Sequence, residues 1–248
     1  YTTDVSGTDD TASGNSAYGY QAMDAITTGD NNTAMGFDAM GANTTGAANV
    51  GVGKDALKAS TTASYNTAVG FEAMTANTTG GFNVAIGKTA LAANTTGARN
   101  LAIGYEAYQA SDTENDNIAI GFQAMGVDTA GGTKNIALGN YALDALTSGD
   151  SNIGIGYNAL TANTTGIKNS AVGENTLATN TTGSGNVSVG HNALYSNTTA
   201  NDNVALGKDS LYTNTTGANN TAVGKDAMYN NTASDNTAVG KGALQANT

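Results

Sequence analysis

A 17-residue unit recurs fourteen times along this chain, and that period limits what it can fold into more than any other feature. The units are anchored on Asn15, Asn32, Asn49, Asn66, Asn83, Asn100, Asn117, Asn135, Asn152, Asn169, Asn186, Asn203, Asn220 and Asn236. Every spacing is 17 except one of 18 before Asn135 and one of 16 before Asn236. The extra residue falls in Asp128-Thr129-Ala130-Gly131-Gly132 and the missing one near Ala233-Ser234-Asp235, so both length changes lie in the same loop, where a stacked repeat tolerates them. The consensus is N-x-A-φ-G-x-x-A-L-x-x-N-T-T-G-x-x, with φ an apolar residue. Position 1 is Asn and position 5 is Gly in all 14 units. Position 9 is Leu or Met in 13, with Tyr108 the exception, and position 13 is Thr in 13, with Asp112 the exception.

Seventeen residues are too few for a two-helix repeat, which needs about 33. They suit one coil of a parallel β-solenoid, so the expected fold is all-β, with 14 coils from residue 15 to 248. At the usual strand spacing of about 4.8 Å that stack would measure roughly 65 Å. Residues 1–14 match the consensus poorly and read as a cap or linker. The start at Tyr1 suggests a processed product or fragment, and Thr248 falls at position 13, mid-coil, so either the natural chain continues or that end pairs with another molecule.

Positions 2 to 5 read as a short strand, as in Val84-Ala85-Ile86-Gly87. Side chains alternate across a strand. Positions 2 and 4 therefore share a branched apolar face, and positions 3 and 5 a face of Ala and Gly. The small face is expected to point into a thin coil and the branched face outward, toward a partner chain; the reverse assignment is not excluded by sequence. Positions 6 to 12, such as Lys88-Thr89-Ala90-Leu91-Ala92-Ala93-Asn94, are rich in helix formers, so a helical turn or a second short strand are both allowed. Asn-Thr-Thr-Gly then makes a turn. Identical residues stack coil on coil, so Asn66, Asn83 and Asn100, Gly70, Gly87 and Gly104, and Leu91 and Leu160 are expected to form structural ladders.

The N-T-A-V-G and N-V-A-I-G motifs resemble the head repeats of trimeric autotransporter adhesins. The longer pattern from Asn66 to Gly80 is similar to repeats of bacterial and phage tail-fibre-domain proteins. The resemblance runs from Asn15 onward, although the adhesin repeat is shorter, typically about 14 residues. It implies a left-handed β-roll assembled as a trimer, with Val69, Ile86, Ile103 and Ile120 at the subunit contact.

Composition removes other function classes. The net charge is −11 with no basic patch, which argues against nucleic-acid binding, and no apolar run approaches the length that crosses a bilayer. With no Cys there is neither disulfide nor thiolate chemistry. His191, the one histidine, occupies the variable position 6 and reads as a surface residue. Asp112, Glu114 and Asp116 cluster in one loop, where a bound cation is weighed against a solvated loop. Seven Asn-Thr-Thr sequons, at Asn43, Asn77, Asn94, Asn163, Asn180, Asn197 and Asn214, are N-glycosylation acceptors in form and turn residues by chemistry. Aromatic residues at position 6 (Tyr20, Phe37, Phe71, Tyr105, Phe122, Tyr157) suggest a sugar-binding strip, which the interspersed Lys54, Lys88, Lys208, Lys225 and Lys241 weaken in favour of a lateral contact. No catalytic arrangement and no cofactor are expected. The leading expectation is a subunit or shaft of an extracellular, cell-surface or virion fibre that self-associates end to end or as a trimer and serves adhesion to a surface or glycan receptor. Ice binding through the double Thr row at positions 13 and 14 is the alternative. A receptor-binding phage tail-fibre segment is the second, and a glycan-degrading spike ranks below it.

Overall fold

A side chain at position 3 that is never larger than Ala or Ser decides where the backbone runs. The computed structural model describes residues 12–127 and 132–247. Among them positions 2 to 4 of each coil form a three-residue strand, from Ser16–Tyr18 to Thr237–Val239. Fourteen such strands form a parallel sheet in which spatial order is sequence order, and no helix occurs among the described residues. The fold is an all-β parallel solenoid. The proposed cap or linker at 1–14 lies mostly outside the described residues, as do Thr248 and residues 128–131 of the lengthened loop.

The chain divides into two compact units, Tyr1–Ala119 and Ile120–Thr248. In the first, the register advances one coil per strand without slip, as Val84↔Leu101, Ala85↔Ala102 and Ile86↔Ile103 show. In the second, Ile153 pairs with Ser170 and Ile155 with Val172 in the same way, and the register is kept across the shortened loop, where Thr221 pairs with Thr237.

Within each coil the small face points inward. Ala68, Ala85 and Ala102 in the first unit and Ala137, Ala171 and Ala205 in the second are fully buried, while positions 2 and 4 are half-buried or exposed. The second inward row is position 9. Leu57, Met74 and Leu91, then Leu143, Leu160 and Leu194, are fully buried, each contributing about 2 kcal/mol of apolar transfer. The core of a coil is thus the position-3 residue with the residues at positions 8 and 9, Ala85 with Ala90 and Leu91 in one coil, and the small alanines let the two backbone layers lie close.

Position 5 closes the strand with a glycine that no other residue replaces. Gly70 has φ +141, and a Cβ there would run into the carbonyl of Gly87 one coil on. That backbone region is in effect open to glycine alone.

Positions 6 to 12 take neither a helix nor, in most coils, a strand. The chain makes two successive i→i+3 turns, seen in Ala73 N–H to the Gly70 carbonyl and Asn77 N–H to the Met74 carbonyl. Positions 7 and 9 sit in the left-handed region, as at Glu72 (φ 53) and Met74 (φ 51). A left-handed residue two places after another ends any α-helix. The cost, about 1–2 kcal/mol per residue, is offset by hydrogen bonds between coils. Glu72 N–H donates to the Lys54 carbonyl of the preceding coil at 2.9 Å, and Met74 N–H to the Ala90 carbonyl of the next at 3.0 Å. Successive left-handed residues thus aim their amides in opposite directions along the stack. Among the described residues this segment pairs as strands at Asn230–Asn231 with Ala246–Asn247.

Candidate interaction surface

The position-1 Asn is buried from Asn15 to Asn220, and in most units it serves two coils. Asn83 Nδ2 donates to the Gly97 carbonyl of its own coil at 2.8 Å, tying the turn to the strand. Asn83 Oδ1 accepts the backbone N–H of Asn100 at 2.8 Å, tying that coil to the next. The same pair of bonds recurs in the second unit, where Asn169 Nδ2 reaches the Gly183 carbonyl and its Oδ1 accepts Asn186 N–H. The expected Asn ladder is therefore a backbone-satisfying device, and Asn66, Asn83, Asn100, Gly70, Gly87, Gly104, Leu91 and Leu160 all occupy the inner wall or the close contact between coils.

All seven sequon asparagines are fully buried. Asn43, Asn77, Asn94, Asn163, Asn180, Asn197 and Asn214 each donate Nδ2 to the position-15 carbonyl three residues on, as in Asn77 to Gly80 at 3.0 Å. The amide nitrogen that would carry a glycan is inside the turn.

The double threonine row separates into two different surfaces. Most position-13 threonines are half-buried and donate along the stack, Thr78 Oγ1 to the Thr95 carbonyl at 3.0 Å and Thr164 Oγ1 to the Thr181 carbonyl at 3.0 Å. Position 14 (Thr45, Thr62, Thr79 and Thr96; Thr165, Thr182 and Thr199) is exposed and lies in a bend, not on a strand.

The acidic loop is committed to its own coil. Glu114, at position 15, is buried and accepts Ser111 Oγ at 3.2 Å, Asp112 N–H at 2.9 Å and Thr113 N–H at 3.0 Å. Asp116 is held bidentately by Arg99 at 2.6 and 2.9 Å, and Asp112 accepts Thr95 Oγ1. Among the described residues no group of three or more His, Asp and Glu is placed to hold a metal ion. Tyr108, the other exception in this coil, is fully buried and its hydroxyl accepts Asn117 Nδ2 at 2.6 Å.

Position 6 forms a ladder of rings and cations. Tyr20 and Phe37 stack at 5.6 Å. Lys54 Nζ lies 5.9 Å from the Phe37 ring and 5.1 Å from Phe71, and Lys88 lies 5.0 Å from Tyr105. Lys54 and Lys88 thus belong to the ladder through cation–π contacts, whereas Lys208 and Lys225 pair with Asp209 and Asp226. Ring faces on which a sugar would stack are occupied by Tyr20 and Phe37 for one another, and by Lys54 at Phe37 and Phe71. In the second unit His191 is exposed, its Nδ1 4.0 Å from Asp209, which also accepts Asn192 Nδ2 at 3.0 Å. Such an exposed pair contributes little.

The outer strand face remains. Position 4 is apolar in every coil and positions 2 and 4 carry no charge anywhere, although the protein bears −11. In the first unit the row includes Val69, Ile86 and Ile103, of which Ile86 is 40% exposed; in the second, Ile120 is half-buried and Val189 and Leu206 are exposed. The four residues named as a subunit contact thus all lie on the outward side. The sequence signal for this face was the period-2 alternation, and the smallness of the alternate residues gave its sense.

No helix among the described residues is long and apolar enough to cross a membrane. No protein-family model matches this chain, and comparisons with curated proteins and with solved structures likewise give no match. The likeness to adhesin heads and tail-fibre repeats is one of motif.

Proposed function

We propose that this chain is a structural segment of an extracellular fibre, built to associate laterally with copies of itself through the outer strand face. The observation that carries this reading is the uncharged outer face, apolar at position 4 of every coil and aliphatic, Ser or Thr at position 2, repeated once per coil in a protein otherwise rich in polar and acidic surface. An extended apolar strip on a soluble surface marks a place of contact. A second copy is the occupant that fits, because the strip has the coil period, and a copy lying alongside offers an apolar residue opposite each apolar residue. A closed ring of parallel copies about an axis along the stack of coils satisfies this for two or three chains alike, and the motif resemblance to trimeric adhesin heads favours three. Adhesion is the use proposed for such a fibre, at a cell or virion surface.

Electron microscopy of the purified chain tests the reading. Particles thicker than one solenoid, resolved by averaging into parallel copies in contact through the strand faces, are the expected result. Single, unassociated solenoids at high protein concentration would overturn it.

A further inference from the structure

Tyr195, Tyr212 and Tyr229 occupy position 10 of three consecutive coils in the second unit, each 17 residues from the next. Their rings stack face to face, with centroids 5.3 and 5.0 Å apart and planes within 9° and 12° of parallel. All three are half-buried, so solvent reaches them. The backbone beneath is pinned from coil to coil, Ser196 N–H to the Tyr212 carbonyl and Thr213 N–H to the Tyr229 carbonyl, both at 3.0 Å. Thr179 Oγ1 and Thr213 Oγ1 add bonds to the Tyr195 and Tyr229 carbonyls at 2.7 and 3.0 Å. Other tyrosines in this unit meet differently, with Tyr141 and Tyr157 edge to face at 6.0 Å and 89°.

We propose that this stack is a site of oxidative modification, at which a one-electron oxidant of the peroxidase type couples Tyr212 to Tyr195 or to Tyr229 and so joins adjacent coils covalently. Each of the two phenols gives one electron to the oxidant and one proton to water, which leaves two phenoxyl radicals in neighbouring coils. The radicals share their spin with the ring carbons ortho to oxygen. A carbon–carbon bond forms between two such carbons, and the two displaced ring hydrogens return as phenolic protons through water. The product is a dityrosine lighter than the starting pair by two hydrogens, and two equivalents of oxidant are reduced. The fold supplies proximity: the partner ring is already in contact, so coupling within the stack outruns diffusional encounter with another chain. A half-buried side chain retains the rotamer freedom to bring two ortho carbons together, while the backbone stays fixed. The inference rests on the ring geometry alone and holds whether or not the chain assembles into a fibre.

The test is brief photo-oxidation of the dilute full chain with a ruthenium tris-bipyridine complex and persulfate. It is followed by dityrosine fluorescence, intact mass and peptide mapping after lysine-specific cleavage. Lys208 and Lys225 separate the three tyrosines, so the linked peptides identify the pair. The expected result is dityrosine within single chains, linking the Tyr212 peptide to that of Tyr195 or Tyr229. Tyr212→Phe keeps the ring stack but leaves the remaining phenols two coils apart, and is expected to lose nearly all the product, whereas Tyr157→Phe keeps it. No dityrosine in the unmodified protein, a yield unchanged by Tyr212→Phe, or links found only between chains would each overturn the proposal.

Discussion

The side-chain oxygen of Asn66 accepts the backbone N–H of Asn83 at 2.9 Å, while Asn66 Nδ2 donates to the Gly80 carbonyl at 2.9 Å. One carboxamide thus satisfies two buried backbone groups in two coils. Asn66→Ala leaves the Asn83 N–H without a partner, at about 1–3 kcal/mol, and the Gly80 carbonyl with Asn77 Nδ2 alone. The expected loss is about 1–3 kcal/mol, read as a lower urea midpoint. Asn66→Asp keeps the acceptor but not the donor and is expected to fall between the two.

Glycine has separate meanings at two positions of the same strand. Gly70→Ala forces a Cβ into φ +141 and against the Gly87 carbonyl, and is expected to abolish cooperative folding. Gly51, at position 3, has no such φ; a Cβ there meets the Met40 side chain at 3.2 Å, which can shift, and most other coils carry Ala. Gly51→Ala is expected to be neutral or mildly stabilising. Thermal unfolding followed by circular dichroism separates the two outcomes.

Ser111 and Glu114 replace the Asn and Gly of the consensus together, and they compensate for one another. Glu114→Gly strands Ser111 and the amides of Asp112 and Thr113, with an expected loss of about 1–3 kcal/mol. Adding Ser111→Asn restores the consensus turn and supplies a donor to Asn94 Oδ1, which is buried without a partner. A double-mutant cycle is expected to show coupling of about 1 kcal/mol or more in the recovering direction; additive effects would mean that the two sites act separately.

Asp144 has an oxygen buried without a partner, and burial raises its carboxyl above the ordinary carboxylate range, against a hydrogen bond from Gly126 N–H. A folded-state value raised above the unfolded one contributes stability that is present below the unfolded value, about 3.8, and is lost as pH rises through the folded value. Asp144→Asn removes the cost of the charge. The variant is expected to be more stable than the parent at pH 7, with the gain vanishing near pH 3, as followed by urea unfolding at the two pH values. Equal gain at both would remove ionisation as the cause.

The folded chain is expected to be refractory to N-glycosylation at all seven Asn-Thr-Thr sites. Incubated with an oligosaccharyl- or N-glucosyltransferase, native protein keeps its bare intact mass, and urea-unfolded chain becomes a substrate at the same asparagines.

The register, the strand positions and the division of Ala85 and Ile86 between two faces were legible in the sequence, because a 17-residue period fixes what stacks on what and a period of two fixes which residues share a face; the smallness of Ala85 gave the inward sense without excluding the reverse. Positions 6 to 12 were not. Ala90, Leu91 and Lys88 are helix formers taken singly, but each left-handed residue gains a hydrogen bond to a neighbouring coil that a helix would forfeit, and no local propensity encodes that. The acidic residues Asp112, Glu114 and Asp116 read as a cluster in linear order, whereas in the fold each has its own partner; the signal was that Ser111, at position 12, and Glu114, at position 15, depart from the repeat in the same coil. The lysines at position 6 looked like interruptions of an aromatic strip, and cation–π contact makes Lys54 part of it. The outer face was legible, and its apolar row is where the functional reading rests.

Sedimentation equilibrium across a wide concentration range, on the parent chain and on Ile86→Glu with Ile103→Glu, tests that reading most directly. The two changes place charge on an outward row and leave the buried ladders untouched. The account predicts a defined multimer for the parent and a folded monomer for the variant. A parent that stays monomeric at every concentration, or a variant that assembles as the parent does, would contradict it.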